Sequence, residues 1–169
     1  MADKDILQPG DLILFRVGPT STWLDRMIGR AQKWIGEDPP SVKEFCHVGI
    51  VGPGGNTIIE ARWPKVKIGP LDLPDLLTRN PIDFYRVKDI PPEQVSAVLA
   101  YAVTQLGQWY DFAAIATFGF IQLGHAAVCS QYVWEWFLNG AGIELCKWSP
   151  LISPDDIAGS SITRRLNVT

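Results

Sequence analysis

Two short β-rich runs, His47–Val51 (HVGIV) and Thr57–Ala61 (TIIEA), stand on either side of the turn cluster GPGGN, residues 52–56. Gly, Pro and Asn in that density between two such runs specify a β-hairpin. If the chain turns through Gly52–Gly55, Val51 pairs with Asn56, and counting outward sets His47 directly opposite Glu60. Cross-strand neighbours on one face have Cβ atoms about 5 Å apart, within reach of an imidazole–carboxylate hydrogen bond. A slip of one residue would send Glu60 to the other face, so the expectation rests on the loop length. Taken singly, Glu60 reads as a solvent-facing residue of an edge strand and His47 as a structural histidine. Taken together they read as a pair.

The remaining pattern surrounds this hairpin with strands and helices. GDLILFRV reads as a first strand opened by Pro9-Gly10, and Ile82–Val87 (IDFYRV) as a further strand. Ser21–Ile35 carries Trp23, Met27, Ile28, Ala31 and Ile35 near helical spacing and is closed by Gly36 and Pro39-Pro40. Pro91-Pro92 opens a helix expected to run through Leu106 to a stop at Gly107. Ala127–Leu138 reads as a helix ending at Asn139-Gly140, and Phe112–Leu123 fits either a helix or a packed loop. No repeat or long linker divides the chain, so residues 1–169 read as one α+β domain: an antiparallel sheet, small and barrel-like, with helices on one side. A βαβ nucleotide binder is excluded, because no GxGxxG or Walker loop occurs.

Charge and cysteine usage remove other classes. The net charge is −3, which leaves no basic field for nucleic acid. MADKDILQPGDLILF places charges where an export signal needs a continuous apolar core, and Phe112–Leu123 is shorter than a spanning helix. The expectation is synthesis in the cytosol, with no transmembrane segment and any exported life or virion association reached by another route. Three cysteines, with no CxxC or HxxxH spacing, argue against a disulfide framework and against a metal site. No cofactor is expected.

Cys129 opens the helix VCSQYVWEWF. It shares a helical face with Val133, Trp136 and Phe137, which is the packing reading of a free cysteine. The first helical turn, however, offers uncapped N–H groups and the positive end of the helix dipole, which lower a thiol's pKa. The same groups can hold an oxyanion beside the sulfur. Two histidines are available as bases: His47 in the hairpin, and His125, four residues before Cys129 in the lead-in loop. His125 has no visible orienting carboxylate and reads better as a wall or substrate contact.

In this order, CHVGIV, IIEA, GQWYDF and VCSQYVWEWF resemble the circularly permuted branch of the NlpC family of papain-like cysteine amidases, close to the YiiX-type proteins and more distantly similar to lecithin:retinol acyltransferase. GDLILF and SPDDI also resemble segments common in that group. In unpermuted relatives the cysteine helix precedes the histidine strand, whereas here His47 comes first. The resemblance implies a permuted papain-like fold with Cys129 as nucleophile, His47 as general base and Glu60 orienting the imidazole. Tyr110 matches a tyrosine near the oxyanion site, with His125 and Ser130 as further substrate-side candidates. Val128 departs from the pattern, standing where unpermuted members usually carry Asp. The implied chemistry is acyl transfer through an acyl-enzyme, with a peptide amide in peptidoglycan as leading substrate. Aromatic excess at Trp109, Phe112, Phe118, Phe120, Trp134 and Trp136 motivates an alternative lipid thioesterase or acyltransferase. A third reading is a non-catalytic assembly module of a virion or secretion machine, which would have a protein partner.

Overall fold

Leu12–Arg16 (β1) is an uninterrupted apolar run with one terminal charge, the signature of a strand covered on both faces. A computed structural model describes residues 5–16, 45–79, 81–111, 128–148 and 152–168, and in it β1 lies inside a sheet. Phe45–Val51 (β2), Thr57–Arg62 (β3), Lys65–Pro70 (β4), Ile82–Val87 (β5) and Thr163–Arg165 (β6) complete it in the order β4-β3-β2-β1-β5-β6, every pair antiparallel. The sheet is open, with β4 and β6 at its edges, so the barrel-like closure expected from the sequence is corrected to an open sheet. The mixed helix and antiparallel-sheet architecture is as expected.

Alternation along β1 splits the core in two. Leu12 and Leu14 join Val48, Ile50, Ile59 and Ala61 beneath the helices Pro92–Thr104 (α2) and Cys129–Ala141 (α3), which bring Val98, Leu99, Ala102, Tyr132, Val133, Trp136 and Phe137. Ile13 and Phe15 point the other way, joining Cys46, Val51, Ile58, Phe84 and Leu166. A short helix, Leu73–Arg79 (α1), packs Leu73 and Leu76 against this second cluster. The longer helices therefore share one face, and the opposite face is covered by α1 and the C-terminal segment. Pro154–Ala158 (α4), capped by the Ser153 hydroxyl, connects α3 to β6. Near the two ends of the described chain, Asp5 N–H donates to Asn167 O at 2.8 Å, and Asn167 N–H donates to the Asp5 carboxylate at 2.9 Å.

Two local expectations shift. The hairpin forms, but its ladder pairs Gly49 with Glu60, Ile50 with Ile59 and Val51 with Ile58, and Gly52 N–H donates to Thr57 O at 2.8 Å. The turn is thus centred one residue later than Gly52–Gly55. Gly54 (φ +78) and Gly55 (φ +77) supply the two consecutive left-handed residues it needs, with Pro53 leading into them. The second shift is at α3, which runs through Asn139-Gly140 and ends at the left-handed Gly142 (φ +70). Gly140 serves packing instead: a Cβ there would lie 2.7 Å from Val98 Cα and 2.9 Å from Ala97 O on α2. The expectations for Ser21–Ile35 and Phe112–Leu123 fall outside the described residues. Among the described residues, no helix is long and apolar enough to cross a membrane.

Candidate active site

β2 and β3 build one half of the site. His47 and Gly49 are two apart on β2, and Glu60 sits opposite Gly49, so all three share one face. The expected contact between His47 and Glu60 is present, but it runs along a diagonal of the ladder. Glu60 reaches past the side-chain-free Gly49, and His47 Nε2–H donates to Glu60 Oε2 at 2.8 Å. There is no spare room at position 49, where a Cβ would lie 3.2 Å from Glu60 Cβ and 3.0 Å from Ile59 O. The Phe15 ring lies against the imidazole, centroids 5.2 Å apart. Across β4, Lys67 pairs directly with Glu60, and its ammonium lies 3.3 Å from Oε1. Each carboxylate oxygen thus has its own cationic or N–H partner.

α3 supplies the other half. Cys129 is its first residue, only 2% exposed, and its side chain hydrogen-bonds the His47 imidazole. With Nε2 committed to Glu60, Nδ1 is the ring nitrogen left for the sulfur. The Val48 N–H and the Tyr110 hydroxyl also donate to Cys129. The helix N-cap is Val128, whose side chain has no acceptor, so it does not cap the first-turn N–H groups. Tyr110 is held in place by its own N–H, which donates to Pro64 O at 2.9 Å.

The electrostatics follow from this contact chain. Burial pulls the His47 imidazole down, but the charges and hydrogen bonds of Cys129 and Glu60 together outweigh it and raise the pKa to about 9. Burial pushes the Cys129 thiol up, and the His47 charge, its hydrogen bond and the Val48 and Tyr110 donors overcome this and lower it. Burial likewise raises Glu60, while the His47 hydrogen bond and charge, aided by Arg62 and Lys67, bring it to about 2. These directions favour a thiolate beside an imidazolium that is itself held by an ionised carboxylate.

Cys129, His47, Glu60 and Tyr110 are therefore brought together. The Ser130 hydroxyl is turned away, donating to Ile152 O. His125 lies outside the described residues, as do Phe112, Phe118 and Phe120. Trp134 and Trp136 are packed in the core, and Trp109 is exposed. Lys67, Gly49 and the Val48 N–H are part of the site that sequence reasoning missed. The alternating KVKI stretch of β4 was the one signal for Lys67. Cys46 donates to Phe15 O at 3.4 Å, and burial with the Asp156 and Glu144 charges raises Cys146 to about 11. Among the described residues, no group of three or more His, Cys, Asp or Glu side chains is arranged to hold a metal ion.

Residues 6–153 match the model of a family described as permuted papain-like amidase enzyme, YaeF/YiiX, C92 family. The chain is also similar to a solved structure described as metalloprotein yiiX from Escherichia coli O157:H7, with a TM-score of 0.69 and 19% identity over 94% of this chain and 96% of that one. At that identity the likeness speaks for the fold. A search of curated proteins returns no match.

Proposed function

Because the chain belongs to the YaeF/YiiX family of permuted papain-like amidases, and is on that ground a cysteine hydrolase, we propose that Cys129 is its nucleophile, His47 its general base and acid, and Glu60 the residue that orients the imidazole. The observation that carries this reading is the contact chain from the Cys129 sulfur through the His47 ring to the Glu60 carboxylate. The Cys129 thiolate attacks a substrate carbonyl carbon, and the developing oxyanion is held by N–H groups at the start of α3 and by the Tyr110 hydroxyl. The His47 imidazolium gives its proton to the departing amine as the C–N bond breaks, leaving an acyl-enzyme. A water then attacks the thioester while His47 takes its proton, and the acid product leaves as the thiolate is restored.

The same geometry favours a peptide amide, of the kind found in peptidoglycan, over a thioester. An amine departs only if protonated, and the resting site holds an imidazolium beside the sulfur to supply that proton.

The test is turnover of a peptide amide beside a long-chain thioester by wild type, Cys129→Ala and His47→Ala. Amide turnover that vanishes in both variants is expected. Full activity in Cys129→Ala overturns the mechanism, and thioester-only turnover overturns the substrate.

A further inference from the structure

Four charged side chains occupy neighbouring positions on the face of the sheet that carries His47. Glu60 and Arg62 are two apart on β3, Lys67 lies directly opposite Glu60, and Lys65 directly opposite Arg62. Glu60 is engaged by His47 and Lys67. Arg62 and Lys65 make no ion pair among the described residues, yet they face each other across the ladder. Like charges in that relation destabilise a sheet.

Each lies over an aromatic ring, and one of these rings packs on His47. The Arg62 guanidinium lies 6.0 Å from the centroid of Phe15, the ring that packs on His47. The Lys65 ammonium lies 4.5 Å from the centroid of Trp109, which directly precedes Tyr110, the residue bonded to Cys129. The backbone beneath Lys65 is fixed as well. Val66 N–H donates to Gln108 O, Gly107 N–H to Val66 O and Tyr110 N–H to Pro64 O, each at 2.9 Å.

Edge strands often carry lysines that discourage pairing with other chains. That function does not explain these two. The edge at Lys65 is already bridged by Trp109, and Arg62 lies on the inner strand β3. Nor do they sample a generally basic surface, since the chain as a whole carries −3.

We propose that Arg62 and Lys65 form an anion-recognition subsite beside Cys129 and His47, selecting acyl substrates that carry a carboxylate near the scissile carbonyl. This rests on the assignment of Cys129 as nucleophile. An anion seated between the two cations relieves their repulsion and aligns the carbonyl with the sulfur. Exposed as they are, the cations act chiefly by steering and orienting, so their effect is salt-dependent.

Iodoacetate and iodoacetamide test this directly, because the two reagents differ in carrying or lacking a carboxylate. The measurement is the ratio of their alkylation rates at Cys129, read by peptide mapping and normalised to the ratio for 2-mercaptoethanol. Expected is a ratio about fivefold above the reference thiol at low salt, collapsing at high salt. In Arg62→Gln and in Lys65→Gln it falls by about threefold, and in the double variant it falls further, to the salt-dependent remainder sustained by the His47 imidazolium. Because the ratio is internal, a change in the thiol itself cancels. A wild-type ratio equal to the reference, or one unmoved by either substitution, overturns the subsite. Slow iodoacetamide alkylation with a ratio that still depends on Arg62 and Lys65 instead overturns the nucleophile assignment and leaves the anion subsite standing.

Discussion

The imidazole of His47 and the carboxylate of Glu60 meet at 2.8 Å across a diagonal of the β2–β3 ladder, and the position directly opposite Glu60 is Gly49. The contact depends on a residue with no side chain. It also depends on a glutamate long enough to span the diagonal, where neighbouring residues are about 7–8 Å apart with their Cβ atoms somewhat closer.

Glu60→Gln keeps the shape and removes the charge. The His47 pKa is expected to fall from about 9, and that of Cys129 to rise as its cationic neighbour weakens. A smaller thiolate fraction then slows iodoacetamide alkylation of Cys129 on the acid side of the profile. A full pH–rate profile is the check: the acid-side rise of the wild type lies below the 9.0 of a free thiol and moves upward in the variant.

The same carboxylate links stability to acid. Its pKa is about 2 in the folded chain against 4.5 for the free side chain. A depressed carboxylate stabilises the fold above pH 4.5, and that contribution is lost as pH falls through about 2. In thermal melts, the gap between wild type and Glu60→Gln should therefore narrow steadily from pH 4.5 towards 2.

Lys67→Met tests the outer partner of Glu60. A half-exposed ion pair is worth under about 1 kcal/mol, so a two- to fivefold loss of turnover is expected at low salt and less at high salt. Lys67→Arg should retain most of the activity. A loss in Lys67→Met that is independent of salt would point to packing rather than charge.

Gly140→Ala sets two effects against each other. Alanine improves helix propensity by about 1 kcal/mol, but its Cβ would lie 2.7 Å from Val98 Cα. Overpacking against backbone typically costs about 1–3 kcal/mol, so the clash is expected to win. Urea denaturation should show a net loss of stability. A gain would mean that α2 and α3 separate at little cost.

The hairpin is legible in the sequence because its turn residues and apolar runs are local signals, and their spacing alone brings His47 and Glu60 to one face. The ladder itself is not legible, since choosing the frame requires knowing that Gly54 and Gly55 both take positive φ. Parity rescues the pairing: moving the turn by one residue shifts the ladder by two, which keeps Glu60 on the same face. β4 is hidden because prolines flank it and its lysines read as surface charge, and with it goes Lys67. α1, α4 and β6 are too short for periodicity to register. Gly140 beside Asn139 looks like a helix stop in sequence, and only the approach of α2 reveals its other purpose.

The reciprocal hydrogen bonds between Asp5 and Asn167 leave the first and last described stretches of peptide lying side by side. A few added residues would close the chain into a ring without moving Cys129, His47 or Glu60. Cut again between Tyr110 and Cys129, that ring would read thiol first and imidazole second. The order of thiol and imidazole along the chain is thus a matter of where the loop is opened, and the arrangement of the two in space does not depend on it.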